Sequence, residues 1–195
     1  MDSLKLILKI ILTPFLSVSI LFFTESSLFL YPLIFSIILS LSNYNLFRFH
    51  LPIGFFLGIV YSYLAFFVGY FGYGLFYKII EFIGITNDIT IGEWFYTDLA
   101  FCIAVFIIAP YLTMHLQKLL FKNTKTRLTY WIMSITTLVF VLISFIHSEQ
   151  DVKNFFNIIN LWQLIIMFGL QLIINQKAIT EKIKSGNKKP AHNNV

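Results

Sequence analysis

Cys102 is the single cysteine of this chain, and His50, His115, His147 and His192 are its histidines. A thiol beside an imidazole is the simplest catalytic pair these residues could form, because a nearby base supplies the reactive thiolate. Cys102 and His115 share one apolar run. If that run is helical, they stand about 20 Å apart along its axis and about 140° apart around it, so they cannot meet. A dyad would have to borrow His147 from a later run, with Asp98, one turn ahead of Cys102, completing the cluster. The plainer reading is a small apolar cysteine near a helix-starting aspartate. No His, Cys or Asp spacing resembles a metal site. No G-x-S-x-G, H-E-x-x-H or phosphate-loop pattern occurs. The sequence leans away from an enzyme and calls for neither metal nor cofactor.

A second set of residues suggests binding. Asn157, Asn160, Gln163, Gln171 and Asn175 fall within about 120° of one helical face. In an apolar medium an unsatisfied amide costs several kcal/mol. These side chains therefore either bond to neighbouring helices, at about 0.6–2 kcal/mol per contact, or line a pocket. Uncharged amides suit a small neutral or zwitterionic solute, recognised by hydrogen bonds more than by charge. Asn157, Asn160, Gln163 and Tyr70 are the candidate ligand-binding residues, in a pocket between the third and sixth apolar runs.

The elements that would position them are membrane helices. The 195 residues are 58% hydrophobic and 12% charged, with a mean hydropathy of +0.81. Soluble domains carry about 25% charged residues, and a water-soluble fold of this length could not hide so much apolar surface. The pattern predicts an all-α integral membrane bundle of six spans, at about 4–23, 28–43, 53–74, 99–116, 128–146 and 155–174. Together these form one domain, 1–176, followed by a basic tail, 177–195, helical at first and disordered after Gly186. The first run resembles a signal peptide but lacks an A-x-A-like cleavage site, and reads as an uncleaved helix kinked at Pro14. Thr13 and Ser17 make a small-residue pair on it. Ser36, Ser40 and Asn43 give the second run a small polar edge.

Charge placement orients the bundle. With the N-terminus, the second and fourth loops and the tail on one side, that side holds all basic residues except Lys78 and Lys153, or 12 of 14, and two of the nine acids, Asp2 and Glu181. Excess Lys and Arg mark the cytoplasmic side, which puts both termini in the cytoplasm of a plasma or inner membrane. The net charge of +5 thus points to anionic lipid headgroups and not to nucleic acid. Lys118, Lys122, Lys125 and Arg127 are the candidate lipid or partner contacts.

The third run organises the rest. From Pro52 to Tyr77 it places Gly54, Gly58, Ser62, Ala65, Gly69 and Gly72 within about 80° of arc, a stripe of small residues about 27 Å long. Such a stripe lets helices approach closely, so the third helix is expected at the centre of the bundle. A helix from 53 to 83 would be about 46 Å long, more than a bilayer core needs. The span is therefore expected to end near Gly72–Gly74, with Leu75 to Ile83 as a short interfacial helix and Gly84 as its stop.

Length, span number and orientation are similar to those of the substrate-binding membrane subunits of some vitamin importers, a likeness of topology that carries no residue across. Two functional readings follow. One is a non-catalytic transport or solute-binding protein. The other is a membrane-embedded interaction protein, such as an assembly factor, accessory subunit or immunity-type protein, using the small-residue stripe against another membrane protein.

Overall fold

A computed structural model describes residues 3–23, 28–86, 99–122, 124, 126–146 and 157–186. They form an all-α fold, and among them no strand occurs beyond an isolated bridge between Phe47 and Phe121. Helix α1 is Ser3–Phe23, α2 Tyr31–Asn43, α3 Leu51–Thr86, α4 Leu99–Lys118, α5 Arg127–Ile146 and α6 Ile158–Gly186. Four of them, α1, α3, α4 and α6, are long and apolar enough to cross a membrane, which is compatible with a membrane protein.

Consecutive helices run antiparallel, as their side-chain contacts record. Thr13 of α1 meets Ser42 of α2, and Tyr63 of α3 reaches back to the Phe29 carbonyl just before α2. Lys118 of α4 lies against Tyr130 of α5, and Thr136 of α5 against Gly169 of α6. The last helix closes back on the first through Ser3–Lys182, Lys9–Asn175 and Ser17–Gln163, pairs that climb α1 while descending α6. Arg48, Lys118, Lys122, Arg127, Lys177, Lys182 and Lys184 therefore collect at one end of the bundle, and Lys78 lies toward the other.

Local chemistry sets the helix limits. Pro32 occupies the first turn of α2, where its missing N–H has no partner to lose. Asn157 caps α6, its Oδ1 accepting the backbone N–H of Asn160 at 2.9 Å. Helix α2 has 13 residues, about 20 Å of rise. With the preceding 3-10 turn Leu28–Leu30, it fills the expected second run, 28–43.

Two expectations about α3 are corrected. The helix does not stop near Gly72–Gly74 and restart; it is unbroken for 36 residues through Gly84 to Thr86. A glycine costs a helix interior only about 1 kcal/mol. Nor is α3 the central helix. Only 22% of its apolar window is buried, against 56% for α6, which packs on α1, α2, α4 and α5. The stripe gives α3 one close-packing face, while Phe56, Phe67 and Phe71 are exposed on its outer side. Ile166, Met167, Leu170, Ile173 and Ile174 bury one broad face of α6, beside its buried amides.

Candidate functional site

The small residues of α3 lie against α2 and α4. A Cβ added to Gly58 would stand 2.9 Å from Ser36 Oγ and 3.2 Å from Ser40 Oγ, and one on Gly54 would meet the Phe47 ring at 2.9 Å. Gln117 of α4 donates from Nε2 to the Gly58 carbonyl at 2.9 Å and to Ser62 Oγ at 2.7 Å. Further along, Ala65 is buried and Gly69 and Gly72 face Ala109 and Ala104. The stripe is thus occupied by the chain's own helices.

Where Gly69 and Gly72 meet it, α4 is not an α-helix. Cys102–Ile108 forms a π-helical segment, closed by the Ala109 N–H donating to the Ala104 carbonyl five residues back. Pro110 follows at once. It has no N–H and its ring crowds the preceding turn, and a wider turn of i to i+5 bonds relieves that crowding. Glycine on α3 leaves room for the bulge.

Beside the π segment is a cavity of about 200 Å³. Phe66, Gly69 and Tyr70 of α3, Val105 and Phe106 of α4, and Phe140 of α5 wall it. Ile158, Ile159 and Trp162 of α6, with Tyr31 at the start of α2, complete it. The lining is almost wholly aromatic and aliphatic. The Trp162 indole N–H is buried and has no acceptor among the described residues.

The structure separates the four candidate ligand residues. Tyr70 is on the cavity wall, but Asn157, Asn160 and Gln163 are not. They occupy the neighbouring face of α6 and are almost fully buried. Asn160 Oδ1 accepts from the Tyr31 hydroxyl at 3.2 Å, so it reaches the cavity through that tyrosine. Gln163 Nε2 donates to Ser17 Oγ, leaving its own Oε1 unpartnered. Deeper along the same face, Asn175 Nδ2 donates to the Gln171 carbonyl at 2.9 Å and to its Oε1 at 3.1 Å, and Asn175 Oδ1 accepts from Lys9 at 3.4 Å. Sequence reasoning located the polar face but missed Trp162, Tyr31 and Phe106. Tyr31 and Trp162 stand near helix starts, where aromatics also describe interfacial anchors, and Phe106, in the middle of α4, carries no signal of its own.

Cys102 opens the π segment and is half-buried, three helical turns from His115. Asp98 and His147, the other members of the thiol cluster, lie outside the described residues. Of the four basic contact candidates, Lys122 and Arg127 are exposed, Lys118 is buried, and Lys125 lies outside the described residues.

The fold and cavity define a class no finer than an all-α bundle with four helices long and apolar enough to cross a membrane. Comparison with protein-family models, with curated proteins and with solved structures gave no match.

Proposed function

We propose that the chain is a small, non-catalytic, multi-pass membrane protein of solute-binding or transport type, whose ligand enters the cavity between α3 and α6. Six passes, both termini cytoplasmic and a plasma or inner membrane complete the reading. Antiparallel succession of all six helices and the basic residues at one end support that topology. The observation that carries the binding reading is the cavity itself, a space walled by residues of five helices. Its lining favours an apolar ligand or the apolar part of one, and Tyr31 and Tyr70 are the wall residues that carry hydroxyls. Asn160 orients Tyr31, Asn157 caps the turn beneath it, and Gln163 ties that turn to α1.

The alternative, an interaction protein without a ligand, loses the stripe as its contact face, because α2 and α4 cover it. A partner would instead meet the exposed outer rings of α3, including Phe67, Tyr70 and Phe71.

The test uses a variant with Trp94 and Trp131 replaced by Phe, so that emission reports Trp162 alone. Titration with 9,10-dibromostearate in detergent is expected to quench it saturably, and Val105→Phe, which fills the cavity, to abolish the saturable phase. Quenching that rises linearly in both proteins would be partitioning into the micelle and would sink the binding reading.

A further inference from the structure

A second cleft, of about 570 Å³, opens at the basic end of the bundle, far from the aromatic cavity. One wall is Arg48, in the connection between α2 and α3. That connection is clamped to the one between α4 and α5. Arg48 N–H donates to the Leu120 carbonyl and Lys122 N–H to the Leu46 carbonyl, both at 2.8 Å. The Phe47 and Phe121 rings stack with centroids 5.0 Å apart. The Arg48 guanidinium also donates to the Phe121 carbonyl at 3.3 Å, so the cation is held before anything binds. The opposite wall is the end of α6, where Lys177, Thr180, Glu181 and Lys184 share a face at helical spacing.

The floor is polar and knitted together. Thr126 Oγ1 donates to Gln176 Oε1 at 2.7 Å, Gln176 Nε2 donates to Thr129 Oγ1 at 3.0 Å, and Thr129 Oγ1 donates to the Thr124 carbonyl at 2.6 Å. Three cations against one carboxylate leave the cleft with an excess of positive charge. Glu181 answers Lys177 only loosely, at 3.9 Å. Arg48 and Lys184 have no carboxylate partner among the described residues.

We infer that this cleft binds a phosphate-bearing anion, with the Arg48 fork and the Lys184 and Lys177 ammonium groups on its oxygens. An arginine held by its neighbours suits the planar, two-pronged recognition of phosphate, and the lysines add point charge. A basic recess between helix ends on the cytoplasmic side also fits an anionic lipid headgroup. Lys118, Lys122 and Arg127, three of the basic residues singled out from the sequence, do not line it, so the site is distinct from general juxtamembrane charge. It does not depend on the outer cavity having a ligand.

The experiment is native mass spectrometry of the full chain released from detergent with added dioleoylphosphatidylglycerol. Thermal stability with millimolar sn-glycerol 3-phosphate is measured in parallel. Arg48→Gln with Lys184→Gln should lower lipid retention about fivefold for each cation removed. Lys122→Gln with Arg127→Gln, outside the cleft, should leave it unchanged. Retention of the glycerol lipid that falls only in the cleft variant assigns a lipid headgroup. Stabilisation by glycerol phosphate that falls only there assigns a soluble phosphate; either result supports the site. If Arg48→Gln loosens the clamp, Lys177→Gln with Lys184→Gln, both on an exposed helix face, asks the same question. Equal losses in cleft and control variants, or no response to either phosphate in the unaltered chain, would overturn the inference.

Discussion

Gly69 lies so close to Ala109 that a Cβ placed on it would stand 2.9 Å from the Ala109 Cβ. Neither atom ends a flexible side chain, so relief requires one of the two helices to move. This contact seats the π segment of α4 on α3 and sets the depth of the cavity beside it.

Gly69→Ala should therefore lower stability by about 1–3 kcal/mol, the usual cost of an extra carbon in a packed interface. Gly74, five residues on in the same helix, has nothing within 4 Å of its virtual Cβ. Gly74→Ala should raise stability by about 0.5–1 kcal/mol, by removing the glycine penalty of a helix interior. Thermal unfolding of both variants in one detergent gives the comparison. Equal shifts of the same sign would mean that α3 and α4 do not pack as described.

Part of this arrangement was legible in the sequence, and the division has a physical cause. Helical periodicity fixes which residues share a face, so the stripe from Gly54 to Gly72 and the amide row from Asn157 to Asn175 could be read directly. Periodicity says nothing about which neighbour that face meets. The stripe implied a hub, yet α6 is the hub, because an aliphatic face is buried on it as well as the amide face. Pro110 disturbs α4, but in a sequence a proline marks a kink and a π turn alike. The cavity draws walls from five helices and has no sequence signal of its own. The amides read as pocket-lining proved to be bonded largely to other side chains, with Asn157 serving the local task of capping α6.

The Gln163–Ser17 bond joins α6 to α1 where both side chains are fully buried. Ser17→Ala and Gln163→Leu should each destabilise the bundle, since each leaves a polar group without its partner. The double variant should cost less than the sum of the two, with a coupling of about 0.6–2 kcal/mol, the range for hydrogen bonds between membrane helices. Unfolding of the four proteins in micelles closes the cycle. Strict additivity would show that the two residues do not interact.

Lys118 is 1% exposed, an extreme degree of burial for a cation at the end of an apolar helix. Its Nζ sits 3.9 Å from the centroid of the Tyr130 ring and 3.6 Å from Met133 Sδ. No carboxylate forms a salt bridge with it among the described residues. A desolvated cation over an aromatic face gains about 2 kcal/mol, so the ring carries most of what compensates the charge. Tyr130→Leu should cost about that much, and Tyr130→Phe, which keeps the ring, much less. Lys118→Met, close in volume, should be neutral or stabilising, because removing a buried charge also removes its desolvation cost. In that background Tyr130→Leu should lose most of its effect. Denaturant unfolding in micelles measures the four variants beside the unaltered chain, and an equal cost for Tyr130→Leu with and without the lysine would show that the ring is packing against hydrocarbon and not holding a cation.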